Sequence, residues 1–194
     1  QIQFGLSALY RKSGQDLKAR QHYALLVEEY IDKPVGLEAK VKLAEMDFVE
    51  GKQVDAERHV QEVLKANPRS SDGLILTGRM ALARRNGKEA VQAFRTVLHD
   101  QPELATIHYL LGQAYQQTGD TTLAKESFER AVVLYPDQVD AKRSLAILES
   151  KSGHYQQARA RLDDLLKQRP DDVTALDMLM TLDLMTKNWP GAEQ

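Results

Sequence analysis

Five histidines are the residues of this chain best suited to bind a transition metal or to move a proton at neutral pH. They are His22, His59, His99, His108 and His154. A metal site on a helix needs two ligands on one face, and a separation of four residues provides that arrangement. No two of these histidines have this separation. The sequence therefore predicts no metal site, and we expect ordinary histidines on the surface or between helices.

Carboxylates and nucleophiles give no better indication of catalysis. Asp163, Asp164, Asp171 and Asp172 are adjacent in pairs, but general acid–base chemistry needs a pocket that raises the pKa of one partner. Solvated helix ends provide no such pocket, and Asp171 and Asp172 are typical of helix N-caps. The chain has no cysteine, no glycine-rich phosphate loop and no nucleophile elbow. We therefore expect no catalytic residue, no cofactor and no enzyme activity.

One short segment, GRMALARRNGK, concentrates positive charge at Arg79, Arg84, Arg85 and Lys88. Such a segment can bind phosphate or an acidic peptide, but a solvated helical face is the commoner outcome. Arg84 and Arg85 suit a helix C-terminus, where the helix dipole favours positive charge. The whole chain has 26 Lys and Arg, 28 Asp and Glu, and a formal net charge of -2. We therefore expect no nucleic-acid partner.

The composition is that of an ordinary globular protein, because 42% of the 194 residues are hydrophobic and 28% are charged. No apolar run approaches the roughly 20 residues that span a bilayer, so we expect no membrane insertion by this segment. Residue 1 already lies in an apolar-periodic stretch, QIQFGLSALYRKSG, which favours a fragment of a longer protein. The lack of cysteine leaves the compartment open between cytoplasm and periplasm.

Three residue series recur at intervals of 34 positions. They are prolines at Pro68, Pro102, Pro136 and Pro170, alanines at Ala56, Ala90, Ala124, Ala158 and Ala192, and small residues at Ala44, Gly78, Gly112 and Ala146. A fixed period between 20 and 50 residues is the signature of a repeat array. The positions that could do chemistry are therefore expected to sit on a periodic scaffold.

Each repeat is expected to form two helices. Between Leu110 and Pro136, apolar and small residues follow helical spacing in two runs, and Pro136 ends the second run. Helices of about 14 residues cannot bury an apolar face alone, so each should lie antiparallel to its partner and against the next pair. Gly112 and Ala124 are expected to let two helix backbones approach, while Phe128 fills the remaining volume between neighbouring pairs.

This segment resembles the tetratricopeptide repeat family. Seven residues follow that family's order of leucine, small residue, tyrosine, alanine, aromatic residue, alanine and proline, namely Leu111, Gly112, Tyr115, Ala124, Phe128, Ala131 and Pro136. His108 stands where the family has an early tryptophan. The resemblance implies an all-α fold, a right-handed α-solenoid of antiparallel helix pairs with about 5.5 repeats.

The resemblance covers the chain as a single array. Its units are expected at 1–36, 37–70, 71–104, 105–138 and 139–172, with a partial unit at 173–194. The first unit has about three extra residues in IDKPVG, so Pro34 is in phase with the other prolines only by accident. In the third unit Gly87 lies two residues from the expected turn glycine, and in the fifth unit Glu149 replaces tyrosine. These two units should therefore pack less well. Four apolar residues of the partial unit should lack cover, namely Leu176, Leu179, Leu182 and Met185.

In the resembled family the first helix of each pair lines a concave groove that binds peptides. The resemblance implies that the partner-binding positions are Phe4, Arg11, Val41, Glu45, Phe48, Arg79, Leu82, Tyr109, Gln113, Gln116, Arg143 and Ile147, flanked by Ala8, Ile75, Ser150, Asp177 and Thr181. Apolar anchors among polar groups suit a peptide. The alternative for each position is packing between helices, above all for Ile75 and Ile147.

The sequence thus favours a non-catalytic scaffold that binds a protein or peptide. By analogy with similar bacterial arrays, we expect a role in a bacterial envelope, exopolysaccharide or protein-sorting assembly, in the periplasm or the cytoplasm. The alternative is a structural spacer or self-associating module that forms homo-oligomers through its open C-terminal end. Charge changes in the groove should impair the scaffold, whereas capping the C-terminal end should impair the self-associating module.

Overall fold

A computed structural model describes residues 2–31 and 33–186, except for the side chains of Ile2 and Gln3. This part of the chain is helical and contains no strand, which confirms the all-α prediction. Its helices are α1 (Ile2–Lys12), α2 (Asp16–Glu29), α3 (Pro34–Val49), α4 (Gln53–Ala66), α5 (Ser71–Ala83), α6 (Gly87–Asp100), α7 (Ala105–Thr118), α8 (Thr121–Leu134), α9 (Val139–Lys151), α10 (Tyr155–Gln168) and α11 (Val173–Met185).

Consecutive helices form hairpins, as the periodicity predicts. Each odd-numbered helix from α1 to α9 packs on the helix that follows it. Turns of two or three residues connect the two helices of a pair, and four residues separate successive pairs. We call the odd-numbered helices first helices and the even-numbered ones second helices. The sixth repeat begins with α11, and the rest of the expected partial unit, 187–194, lies outside the described residues.

Pro34 has a different role from the four prolines that follow it in phase. Pro68, Pro102, Pro136 and Pro170 each stand two residues after the end of a second helix. Pro34 is instead the first residue of α3, where a missing N–H is harmless. The extra residues of IDKPVG lengthen the start of α3, which has 16 residues. The expectation that Pro34 is in phase by accident is confirmed.

The chain divides into two compact units, residues 1–100 and residues 101–194. The first, which we call the N-unit, holds α1 to α6, and the second, the C-unit, holds α7 to α11. Each unit has its own buried apolar clusters between neighbouring helices. A single array over all 194 residues stays a prediction.

In the second to fifth repeats, a small residue of the first helix packs with a larger residue of its own second helix. A Cβ atom on Gly112 of α7 would lie 2.5 Å from the Cδ1 and Cε1 atoms of Phe128 in α8. The same distance separates a Cβ on Gly78 from the ring of Phe94. Both rings are fully buried. Gly112 therefore leaves room for the Phe128 ring of the same helix pair. The sequence pattern suggests instead that it lets two helix backbones approach.

Where the second helix offers a smaller side chain, the first helix offers a larger one. The equivalent positions hold Ala44 with Val60 in the second pair and Ala146 with Leu162 in the fifth, and each couple shares a buried cluster. Close packing leaves no room for both members to be large. The total volume at this contact is thus kept while its division between the helices varies.

Glu149 is buried in an ion pair and does not leave a packing defect. Only 2% of this residue is exposed. Its carboxylate accepts hydrogen bonds from Nη2 and Nε of Arg161 at 2.6 and 3.0 Å, and Lys125 Nζ lies 4.0 Å away. The bond to Glu149 raises the pKa of the Arg161 guanidinium above its ordinary value. The expectation that Glu149 packs poorly is therefore wrong, because its charge is compensated where it is buried.

Buried acids occupy the position of Glu149 in two other repeats. In the second repeat, Asp47 Oδ1 accepts from Arg20 Nη1 at 2.7 Å, and Asp47 Oδ2 lies 3.1 Å from His59 Nδ1. In the sixth, Asp183 pairs with Arg159. Arg20 and Arg159 both belong to the second helix of the preceding repeat. These ion pairs join successive repeats inside each unit.

A left-handed residue closes the turn after five first helices. Four of these residues are glycines, namely Gly14, Gly51, Gly119 and Gly153, with φ between 71° and 85°. The fifth is Arg85, with φ of 58°. Gly87, which the sequence pattern treats as a displaced turn glycine, is instead the buried first residue of α6. The third repeat therefore places a residue with a Cβ atom where the backbone favours glycine.

Arg85→Gly is expected to stabilise the protein by about 0.5–1 kcal/mol. Relief of the left-handed strain, worth about 1–2 kcal/mol, outweighs the greater freedom of glycine in the unfolded chain. The measurement is the free energy of unfolding in urea. Gly119→Ala is the reciprocal control and should destabilise, although open space surrounds a Cβ at Gly119. Equal stability of wild type and Arg85→Gly would contradict the argument.

Gly112→Ala is expected to lower the free energy of unfolding by up to about 2 kcal/mol. Alanine improves helix propensity by about 1 kcal/mol, but the overpacking against a buried ring costs more, about 1–3 kcal/mol or above. Adding Phe128→Leu reproduces the Ala146 and Leu162 couple of the fifth pair and should recover stability. A double-mutant cycle in urea tests this, and additive effects of the two substitutions would refute the contact.

Candidate partner-binding surface

Two first helices of the N-unit bring predicted site residues together. The guanidinium carbon of Arg79 in α5 lies 5.9 Å from the centroid of the Phe48 ring in α3. Such a cation–π contact leaves the donors of the guanidinium available to a partner. Arg79 is exposed, and Phe48 and Leu82 are half-buried. Glu45 on the same side of α3 pairs with Lys42 at 3.2 Å.

Three other predicted residues of the N-unit contribute unequally. Val41 is 1% exposed and offers a partner no contact area, so we leave it out of the surface. Phe4 is half-buried, and its ring lies 6.0 Å from the ring of Tyr23, a core residue. Arg11 is exposed in the last turn of α1. The alternative of packing between helices thus describes Val41 and part of Phe4.

In the C-unit, α7 presents Tyr109, Gln113 and Gln116, all half-buried. Gln113 Nε2 donates to the Tyr109 hydroxyl at 2.9 Å, and the Tyr109 ring lies 5.7 Å from that of Phe128. Burial is the main cause that raises the pKa of Tyr109, and a hydrogen bond with Ser144 of α9 opposes it. Tyr109 is therefore held by three helices and offers a partner a rigid position.

Arg143 already binds two carboxylates of its own chain. Its Nη2 lies 2.5 Å from Asp172 Oδ2, and its Nη1 lies 3.3 Å from Asp140 Oδ1. Asp172 is the N-cap of α11 and accepts from the Ala175 amide at 3.0 Å, as the sequence predicts, whereas Asp171 is exposed and is not the capping residue. Arg143 thus ties α9 to α11, and a partner would have to compete for its charge.

Ile147 lies at the mouth of a cleft of about 340 Å³ in the C-unit. Ile147, Ser150, Asp177 and Thr181, which the sequence assigns to the row of first-helix positions, all line it. The remaining lining residues are Ala146, Lys151, Ala158, Leu162, Met178, Leu182 and Met185. The burial of Ala146, Ala158, Leu162 and Leu182 makes the floor apolar. Sequence periodicity alone does not reveal this cleft.

The apolar side chains of α11 are only partly covered. Leu176, Met180, Leu184 and Met185 are between 46% and 58% exposed. Leu182 is only 3% exposed and Leu179 is half-buried. The expected lack of cover is thus confirmed for Leu176 and Met185, and it is wrong for Leu182, which packs into the unit.

The basic segment of the third repeat separates into different environments. Arg84 pairs with Glu57 and with Glu89. A second basic surface, which the sequence pattern did not single out, surrounds a cleft of about 500 Å³ lined by Arg69, Lys88, Val91, Gln92, Arg95, Thr96 and His99. The helical spacing of Lys88, Gln92 and Arg95, which places them on one face of α6, is the feature of the sequence that could have indicated this surface. Arg69 and His99 both contact Asp100, which lowers the pKa of that carboxyl.

Histidines and acids do not form a metal site in the part of the chain that the structure describes. No group of three or more such side chains is placed to hold an ion there. His22 contacts Ser7 Oγ at 2.6 Å, and His108 contacts the Pro102 carbonyl at 2.9 Å. Over residues 2–31 and 33–186, none of the helices combines the length and apolar character required to traverse a bilayer.

Two family models match this chain. Residues 92–194 match the model of the cytochrome c-type biogenesis protein H TPR domain, and residues 54–105 match a tetratricopeptide repeat model. The first match alone covers more than half of the 194 residues. The chain belongs to the tetratricopeptide repeat family. The helix hairpins and their period are therefore those of this family.

Relatives of this tetratricopeptide repeat protein are distant. Protein O-mannosyl-transferase TMTC1 of Mus musculus is 25% identical over 159 residues, which are 80% of this chain and 17% of that protein. The chain spans about a fifth or less of the first curated relatives. An activity named for such a relative is therefore not transferred to this chain.

Solved structures share the fold at low identity. PilW, a widely conserved type IV pilus biogenesis factor, has a TM-score of 0.87 and 16% identity, over 99% of this chain and 88% of that chain. YrrB, a TPR protein with an unusual peptide-binding site, has a TM-score of 0.72 and 17% identity, over 88% of this chain and 86% of that chain. At these identities the likeness shows the fold alone.

The bond between Arg143 and Asp172 predicts a pH dependence. The Ala175 amide and then Arg143 hold the pKa of the Asp172 carboxyl below its ordinary value. Its stabilising contribution is therefore complete at neutral pH and is lost as the pH falls through the folded pKa, below about 4. Asp172→Asn keeps a capping oxygen but loses the charge, and should destabilise by about 1–2 kcal/mol at pH 7.

The measurement is the difference in unfolding free energy between wild type and Asp172→Asn at pH 7 and near pH 3. The difference should shrink at the lower pH, because the wild-type carboxyl then begins to take up a proton and its advantage over asparagine falls. Asp171→Asn is the control at a neighbouring exposed carboxyl. A difference that does not change with pH would rule out the charge as its cause.

Proposed function

We propose that this tetratricopeptide repeat protein is a non-catalytic scaffold that binds a partner polypeptide along the exposed side of its first helices. The observation that carries the proposal is the placement of accessible side chains from consecutive first helices beside one another within each unit. Arg79 over Phe48 in the N-unit is one example, and Ile147 with Asp177 and Thr181 around the C-unit cleft is another. Arginine and aromatic residues are enriched at protein interfaces.

The family match supports a more specific assignment. Residues 92–194 match the TPR domain of a cytochrome c-type biogenesis protein, and the whole C-unit lies inside that range. We therefore propose that the partner is a polypeptide handled during the assembly of c-type cytochromes. We keep the bacterial envelope as the setting of this assembly. The likeness to a pilus biogenesis factor supports the fold and not this assignment.

A paired substitution on the first helices tests the scaffold. Arg79→Ala with Gln113→Ala removes one polar side chain from each unit, whereas Arg95→Ala with Gln92→Ala removes the same residue types from the exposed side of α6. The probe is a c-type cytochrome polypeptide without haem, and its folded haem-containing form is the comparison. Calorimetric titration should show binding of the haem-free form, weakened about tenfold by the first pair, about 1.4 kcal/mol, and unchanged by the second.

The outcomes separate the two levels of this proposal. Equal weakening by both pairs, or by neither, would exclude the first-helix surface as the binding site. Equal affinity for the haem-free and the folded cytochrome would instead count against a role in assembly, because an assembly factor must distinguish the unfinished polypeptide. Circular dichroism of each variant establishes that the repeats remain folded.

Self-association through the C-terminal end is the second candidate. It is favoured by the exposed side chains of α11, among them Leu176, Met180 and Leu184, since an apolar helical face is a common site of association. Sedimentation equilibrium should then show a dimer that Leu176→Lys with Met180→Lys converts to a monomer. Val133→Lys on α8, where valine is 69% exposed, is the control. A monomer for the unaltered chain at all concentrations would remove this candidate.

A further inference from the structure

The C-unit cleft is the counterpart of a site that the N-unit fills with one of its own rings. In the N-unit, Phe48 packs against a buried cluster of Ala44, Ala56, Val60, Leu76 and Met80. Three periods of 34 residues further along the chain, the equivalent residues are Ala146, Ala158, Leu162, Met178 and Leu182. All five of these line the C-unit cleft. The two sites therefore have nearly the same apolar walls.

The two sites differ in the residue that fills them. The position of Phe48 is taken in the C-unit by Ser150, which also lines the cleft. Serine replaces a phenyl ring by a hydroxyl, so the apolar walls keep their place while the volume between them stays open. The cleft measures about 340 Å³, and a cavity of about 150 Å³ is sufficient to hold benzene. One aromatic side chain therefore fits.

The charged residues around the cleft indicate which charge an incoming segment should carry next to its aromatic ring. Two exposed charged residues line the cleft, Asp177 on α11 and Lys151 at the end of α9, and Asp177 forms no ion pair with a described residue. In the N-unit the ring of Phe48 is covered by Arg79, but the equivalent position here is the uncharged Thr181. The stretch 101–194 also contains fourteen Asp and Glu against ten Lys and Arg. An incoming segment meets complementary charge where it places a cation on the α11 side of its ring, beside Asp177 and away from Lys151.

We propose that the cleft between α9 and α11 binds an aromatic side chain, flanked by a basic residue, from the partner polypeptide. The ring takes the place that Phe48 occupies in the N-unit, and the basic residue pairs with Asp177. This inference rests on the proposed scaffold function and specifies the part of the partner that the C-unit recognises. The ring is the anchor, because a buried aromatic group supplies most of the energy in such contacts.

Methyl NMR of the methionines tests the proposal on the full chain. Met178 and Met185 line the cleft, Met180 on α11 does not, and Met80 lines the filled N-unit site. The probe is a Gly/Ser peptide with a central Lys-Phe-Lys, compared with Lys-Ala-Lys. The phenylalanine peptide should shift Met178 and Met185 saturably, leave Met80 and Met180 unchanged, and bind at least tenfold more tightly than the alanine peptide.

Ser150→Phe is the decisive variant, since the N-unit shows that similar walls accommodate this ring. The variant should keep its thermal unfolding temperature and lose the response to the phenylalanine peptide. Asp177→Asn should weaken the response several-fold. Equal shifts with both peptides, or an undiminished response in Ser150→Phe, would overturn the proposal.

Two other occupants give different results, and each would also overturn it. A Met178 signal that moves on Trp189→Ala would assign the cleft to residues of the chain's own C-terminal segment. A signal that moves on dilution would assign it to a second copy.

If the haem-free cytochrome binds Ser150→Phe as well as wild type, the cleft proposal fails and the scaffold stands. If the phenylalanine peptide binds while Arg79→Ala with Gln113→Ala has no effect on the cytochrome, the scaffold proposal fails instead.

Discussion

The contact between a small residue of the first helix and a large residue of the second sets how each hairpin closes. Gly112 and Phe128 represent one extreme, where a Cβ atom has no room, and Ala146 with Leu162 represents the other. Because this contact lies inside the pair, the rest of each first helix is left for other contacts. Arg79, Gln113 and Ile147 each directly follow the small residue, about 100° further round the helix, and Arg79 and Ile147 are exposed while Gln113 is half-buried.

Ion pairs between repeats add a second constraint. Buried charges rarely add net stability compared with apolar side chains, but breaking one partner of such a pair is costly. Asp47 with Arg20 and Asp183 with Arg159 join successive repeats in this way, whereas Glu149 with Arg161 joins the two helices of one repeat. We interpret them as devices that fix which helices are neighbours, since an alternative neighbour would leave a carboxylate without its cation.

The period of 34 residues was sufficient to predict the helix pairs, the accidental phase of Pro34 and the burial of Phe128. It could not predict contacts that depend on which side chain lies opposite. The partner of Arg143 is Asp172, 29 residues away on another first helix, and Glu149 looked like a defect because its cations belong to other helices. Val41 and Arg143 occupy the same position of their repeats, yet Val41 is buried while Arg143 is half-buried and binds Asp172.

The charge pairs also limit how freely these repeats can be exchanged. Arg20 faces Asp47 of the next repeat, but the same position of the third repeat is Ala81. If the second repeat were removed, the Arg20 guanidinium would face the Ala81 methyl group in place of the Asp47 carboxylate. Although the repeats share one architecture, the first and the fifth each carry an arginine that pairs with an acid of the repeat that follows. In shuffled or shortened versions of this chain, the partners of these ion pairs would therefore have to be redesigned together with the helices.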